Sequence, residues 1–259
     1  MNFKLGKKAP DRLLKTPAFG DFLSKAKEWP KVAARGWENA VPANQIGMLG
    51  NDKVGDCVVA MMMHYAQVET ANTGNPLTPT TELALQVYSA ITHYDPKLTD
   101  PQGDNPTDNG MSIQGQALPY WKSHGIPMLD KNGKEVIHKI LGWATLDLTS
   151  IAQQRYACDV FGGNMLGIYC PMSAQDDTSN WVYDPNSPIA GGHGVPMLGQ
   201  GGAGWHTISW GVSIPGTWEF SLKLADEMYS VVTPLWLDQQ GKSPSGLDLD
   251  GLLAAMKSL

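Results

Sequence analysis

The run Val58-Val59-Ala60-Met61-Met62-Met63 constrains the fold more than any other stretch. It follows Gly55-Asp56-Cys57 directly and is apolar on every face a helix could present. A helix without a polar face has to be enclosed, so the rest of the chain must pack against it from several sides. Asp56 can serve as N-cap, which predicts a buried central helix from about Cys57 to Thr70, ended near Gly74. Cys57 then sits in the first turn, where unpaired backbone N–H groups and the positive end of the helix dipole favour thiolate over thiol. Taken alone, a cysteine at a buried helix start is more often a packing residue than a nucleophile. The remainder of the chain has to supply a base.

At 259 residues, with 42% hydrophobic and 17% charged, the chain has material for one large domain or two lobes sharing a cleft. Residues 1–50 contain Pro10, Pro17, Pro30 and Pro42 and read as an extended N-terminal arm packed on the body, with no recognisable inhibitory propeptide pattern. Residues 51–130 read as a helical lobe. After the central helix, Thr78 as cap and Pro79 as first helical residue open a second helix ending near Tyr94. Turn formers fill 95–110, and a short helix over 113–124 is kinked or shortened by Pro119 and stopped by Gly125.

Residues 131–236 change character and read as a β lobe. Strands are predicted at 136–145, 165–170, 193–199, 205–210 and 228–233, interrupted by one helix over 150–161 that Gly162-Gly163 closes. Pro196 removes a ladder donor from the strand that His193 opens, which predicts an edge or a bulge. Residues 237–259 form a tail with a helix from Leu247. Helices first and strands later give an α+β class rather than a doubly wound sheet.

Several function classes drop out. The net charge of -6 comes without a basic cluster, because Lys4, Lys7 and Lys8 are few and interrupted, so nucleic acid is not an expected partner. The apolar run from Cys57 to Met63 is too short to span a bilayer, and no export signal opens the chain, so a cytoplasmic or particle-associated protein is expected rather than a Sec-exported one. In an oxidising compartment Cys158 and Cys170 would be the natural bridge and Cys57 would stay free. Asp100, Asp104, Asn105 and Asp108 lack the spacing of a calcium loop, the cysteines and histidines form no zinc doublets, and the Gly191–Gly194 and Gly199–Gly204 segments lack a P-loop's lysine and hydroxyl. No metal or cofactor is expected.

A base must be one of six histidines. His64 lies seven residues after Cys57 on the same helix, roughly 10 Å along its axis and out of reach. His93, His124 and His138 stand near predicted element ends and read as surface residues. His193 differs: Gly191-Gly192-His193-Gly194 strips side-chain bulk from around one imidazole at a strand start, where another backbone or a substrate can approach closely.

The order Gly-x-Cys at a central helix, Gly-Gly-His opening a strand, then Ser209-Trp210-Gly211 closing one resembles the papain-like cysteine peptidases over about residues 51–236. That resemblance implies a helical lobe packed against an antiparallel barrel-like lobe, with a peptide or amide substrate in the cleft between them. It implies Cys57 as nucleophile and His193 as base, with Trp210 shielding the histidine. The family's oxyanion-hole glutamine six residues before the cysteine is here Asn51, with a shorter arm. The family's orienting asparagine, two residues before the tryptophan, is here Ile208. His206, on the same strand face, is the candidate third member, since some papain-fold cell-wall endopeptidases use a second downstream histidine; Ser209 and Gln200 are weaker ones. The reaction expected is acyl transfer through a thioester. The alternatives are a non-catalytic binding or assembly module of the same fold and a transglutaminase-like acyl transferase.

Overall fold

The computed structural model describes residues 3–22, 29–236 and 248–257. In chain order its main elements are β1 (Arg35–Gly36), α1 (Cys57–Asn72), α2 (Thr81–Thr92), α3 (Leu118–Ser123), β2 (Ile126–Leu129), β3 (Glu135–His138), β4 (Gly142–Thr145), α4 (Ile151–Phe161), β5 (Asn164–Pro171), α5 (Met172–Asp176), β6 (Ile189–Gln200), β7 (Gly204–Ser209), β8 (Val212–Thr217), α6 (Trp218–Leu224), β9 (Ala225–Val232) and α7 (Leu249–Lys257). This is the α+β arrangement expected.

The enclosed central helix is α1, in which every residue from Cys57 to Thr70 is buried. Apolar side chains account for the first half. In the second half each polar group finds a partner, as burial requires. Glu69 Oε2 meets His138 Nε2 at 2.9 Å, Trp121 Nε1 donates to His138 Nδ1 at 3.1 Å, and the Thr233 hydroxyl donates to the other Glu69 oxygen, so His138 is a buried partner of α1 and not the surface residue expected.

The strands form one antiparallel sheet in the order β4-β9-β5-β6-β7-β8, with β1 joined to the far end of β6, and β2 and β3 make a separate hairpin. Two expectations are corrected here. The segment 136–145 is two strands in different sheets, β3 and β4, separated by residues 139–141. The second helix is capped by Thr80, whose hydroxyl accepts from Leu83 N, because Thr78 is already paired with Leu129. β8 and α6 were not anticipated: Pro215 and Gly216 break the strand pattern, and Thr217 caps the helix. The tail residues 237–247 lie outside the described residues; α7 follows them.

Pro196 sits where its missing donor does least harm. It opposes Met165 on the β5 side, while on the β7 side pairing begins only at Met197 with Thr207 and shifts before Gly199. β6 is therefore flanked by strands at its C-terminal end and open toward β7 over its N-terminal half. His193 lies in that opening.

Candidate active site

Cys57 opens α1 and is 1% exposed. β6 crosses this helix end so closely that a Cβ on Gly194 would lie 3.2 Å from Val58 Cγ2. Burial pushes the Cys57 thiol up to about 11, against the pull of backbone hydrogen bonds from Gly194 and Gly6. The helix start does not deliver a thiolate here, because desolvation outweighs the dipole. Asp56 occupies the expected N-cap position, but its buried side chain makes no capping bond, and burial raises its pKa well above the ordinary carboxyl range.

His193, in the open half of β6, is 1% exposed. Its Nε2 lies 2.8 Å from Ser209 Oγ, and its buried Nδ1 has no partner. Burial first, and then the charge of Lys7, lower its pKa to about 3. Among the described residues no hydrogen bond joins the Cys57 sulfur to this imidazole, and both are neutral at neutral pH.

Trp210 stacks on His193 with ring centroids 4.5 Å apart and planes 13° apart. It holds this position at a backbone cost: Trp210 and Gly211 form the two-residue turn between β7 and β8 with φ of 48° and 76°. Positive φ at both central residues matches the twist of the hairpin, but a bulky residue adopts it only when its surroundings enforce it.

His206 does not belong to this constellation, which corrects the sequence reading. It pairs with Gly199 at the opposite end of β6, and its Nδ1 approaches Glu38 Oε1 at 3.4 Å beside a cavity of about 770 Å³. Ile208 is core. The contact that an orienting residue would make with His193 comes instead from Ser209, one position on. Gln200 is engaged elsewhere, by Arg155 and Ala33. All three cysteines are buried and free, so Cys158 and Cys170 are not bridged; burial raises the pKa of both.

Sequence reasoning missed what fills the site. The N-terminal arm does not simply pack on the body. Its residues run between Met111 and the open edge of β6: Lys7 N–H donates to Gly192 O at 3.1 Å, Lys8 N–H to Met111 O at 2.9 Å, and Met111 N–H to Gly6 O at 2.8 Å. Gly6 fits only because it lacks a side chain, since a Cβ there would fall 1.8 Å from Gly55 O. Asn51, 2% exposed, donates through Nδ2 to Lys4 O and to Val54 O, both at 3.4 Å. The side-chain amide expected to bind an oxyanion is already holding a carbonyl oxygen of the chain.

No family model and no curated protein sequence matches the chain. Solved structures do. Xylellain, a cysteine protease from Xylella fastidiosa, superposes with a TM-score of 0.61 at 14% identity, over 90% of this chain and 98% of that one. Procathepsin B S9 from Trypanosoma congolense gives 0.57 at 10%, over 89% and 86%. The ragweed pollen cysteine protease Amb a 11, in its proform, gives 0.57 at 17%, over 84% and 70%. At these identities the likeness establishes architecture, and that architecture is papain-like.

Proposed function

We propose that this papain-fold chain is a thiol-dependent hydrolase, a peptidase or amidase, held latent by its own N-terminal arm. The observation that carries the reading is the arrangement of His193. Ser209 fixes Nε2, Trp210 covers the ring, and Nδ1 is left without a partner at the strand position next to Gly194, whose backbone hydrogen-bonds the Cys57 sulfur. With Nε2–H donating to Ser209 Oγ, the Nδ1 lone pair is the basic one.

Once the arm leaves and water enters, the desolvation that holds the thiol up and the imidazole down is relieved. His193 takes the Cys57 proton, and the thiolate attacks a substrate carbonyl. The Asn51 amide and the Cys57 N–H stabilise the oxyanion. His193 returns the proton to the leaving group, and water hydrolyses the thioester.

A non-catalytic module of the same fold is the second reading, favoured by the neutral thiol and imidazole and by the filled groove. Arm-displaced protein separates the two. Iodoacetamide near neutral pH should modify Cys57 ahead of Cys158 and Cys170, and Cys57→Ala and His193→Ala should each abolish hydrolysis of a mixed peptide pool. A Cys57 that stays unreactive after the arm has been displaced overturns the hydrolase reading. Product analysis with an added amine distinguishes hydrolysis from amine transfer.

A further inference from the structure

We infer that Asp226 and Glu227 form a pocket for a basic side chain of the substrate, lysine or arginine, and that Lys7 of the arm fills it in the latent protein. The inference rests on reading the groove beside Cys57 as the substrate site. Lys7 is unusual in being a lysine whose side chain is only 1% exposed. Its Nζ lies 2.8 Å from Asp226 Oδ2 and 2.9 Å from Glu227 Oε1, and donates to Lys8 O at 3.0 Å. Its backbone meanwhile donates to Gly192, the residue before His193. The pocket therefore opens one residue from the site's histidine.

The shape of the pocket suits an unbranched stem. β5 carries Met165, Leu166 and Ile168 into the core, but Gly167 lies beneath the lysine, where a Cβ would come within 2.2 Å of Lys7 Cε. The charge exceeds what one lysine uses. Two buried carboxylates face one ammonium, Tyr229 donates to Glu227 Oε2 at 2.8 Å, and Asp226 Oδ1 is buried with no hydrogen-bond partner. On the side away from Lys7, a cavity of about 330 Å³ borders Asp226, Glu227 and Tyr229 and is closed by Pro10, Asp11 and Arg12 of the arm, so departure of the arm opens further room beside the carboxylates. A guanidinium, with five donors in a planar fork, fits that surplus of acceptors and space better than an ammonium. An apolar side chain in the same place would leave both carboxylates buried and unpaired, which is strongly disfavoured.

The test uses the full-length Lys7→Ala protein, which vacates the pocket, and the Gly6→Ala protein, which unseats the arm without changing any charge. Fluorescence polarisation measures binding of three labelled, end-blocked peptides that differ only in carrying lysine, arginine or norleucine. Lysine and arginine peptides should bind at least tenfold tighter than the norleucine peptide. Adding Asp226→Asn and Glu227→Gln should erase that preference, weakening the lysine and arginine peptides by at least tenfold and easing entry of norleucine, which no longer strands two buried carboxylates. Equal binding of all three, or binding of none, in both variants overturns the pocket. The alkylation rate of Cys57, read on the same proteins without peptide, reports separately on the hydrolase reading. A reactive thiol without basic preference sinks only the pocket, and a basic preference with an inert thiol sinks only the hydrolase.

Discussion

Replacing Gly6 by alanine tests the latent state most directly. The added methyl would sit 1.8 Å from Gly55 O, far inside van der Waals contact and against backbone that cannot turn aside, so the arm must leave the groove. With the arm in the groove the Cys57 thiol stands at about 11 against an ordinary 9.0. Two pH units mean about a hundredfold less thiolate than an ordinary cysteine holds. Losing the arm also removes the Gly6 hydrogen bond and the Lys7 charge, both of which favour thiolate, but burial is the largest cause and dominates the change. Iodoacetamide at pH 7.5, followed by peptide mapping, should show Cys57 reacting about a hundredfold faster in Gly6→Ala than in the parent, with Cys158 and Cys170 as unreactive internal controls. Hydrogen exchange at Lys8 reports whether the arm has moved. A variant whose Lys8 amide has lost protection while Cys57 reacts no faster would refute the reasoning.

Other perturbations have equally definite outcomes. Ser209→Ala leaves His193 Nε2 without its partner; in arm-displaced protein kcat should fall about tenfold to a hundredfold while stability changes by about 1 kcal/mol, read from peptide turnover and urea unfolding. Glu69→Gln breaks a buried pair far from the site and should cost about 3–5 kcal/mol in urea without altering Cys57 reactivity in the folded protein. His64, at about 4, and His193, at about 3, both lie below the ordinary 6.5 because burial penalises their charged forms. The stability they contribute is full above pH 6.5 and is lost as pH falls toward those values. By pH 5 the pair should account for roughly 4 kcal/mol of lost stability, and denaturant midpoints measured between pH 7 and pH 5 check it.

What could be read from the sequence was whatever local pattern carries. An all-apolar run after Gly-Asp-Cys specified both an enclosed helix and the place of its cysteine. The glycines around His193 marked a strand that something approaches, and Pro196 marked the break in its pairing. Long-range consequences were not legible. That Ser209, rather than His206, meets His193 depends on the register of β7 against the open end of β6, where one residue's difference turns a side chain to the other face. Nothing near Lys7 in the sequence marks it for burial, because Asp226, one of the two carboxylates that pair with it, lies 219 residues away. Gly6 carried a signal only in relation to Gly55, and no periodicity links them.

Because Gly6 and Lys7 belong to the same chain as Cys57, the arm meets its groove at an effective concentration set by its tether. Such values reach the millimolar range for short flexible linkers and fall as the linker lengthens. A contact too weak to inhibit as a separate peptide can therefore keep the groove filled. The tether is also its weak point, since residues 11–14 are exposed, with Leu13 90% accessible. One backbone cut there leaves every contact of the latch unchanged but makes its hold depend on dilution. A nicked protein diluted well below the dissociation constant of the freed segment loses it, and regains it only when concentrated again, whereas the occupancy of an intact arm is independent of protein concentration.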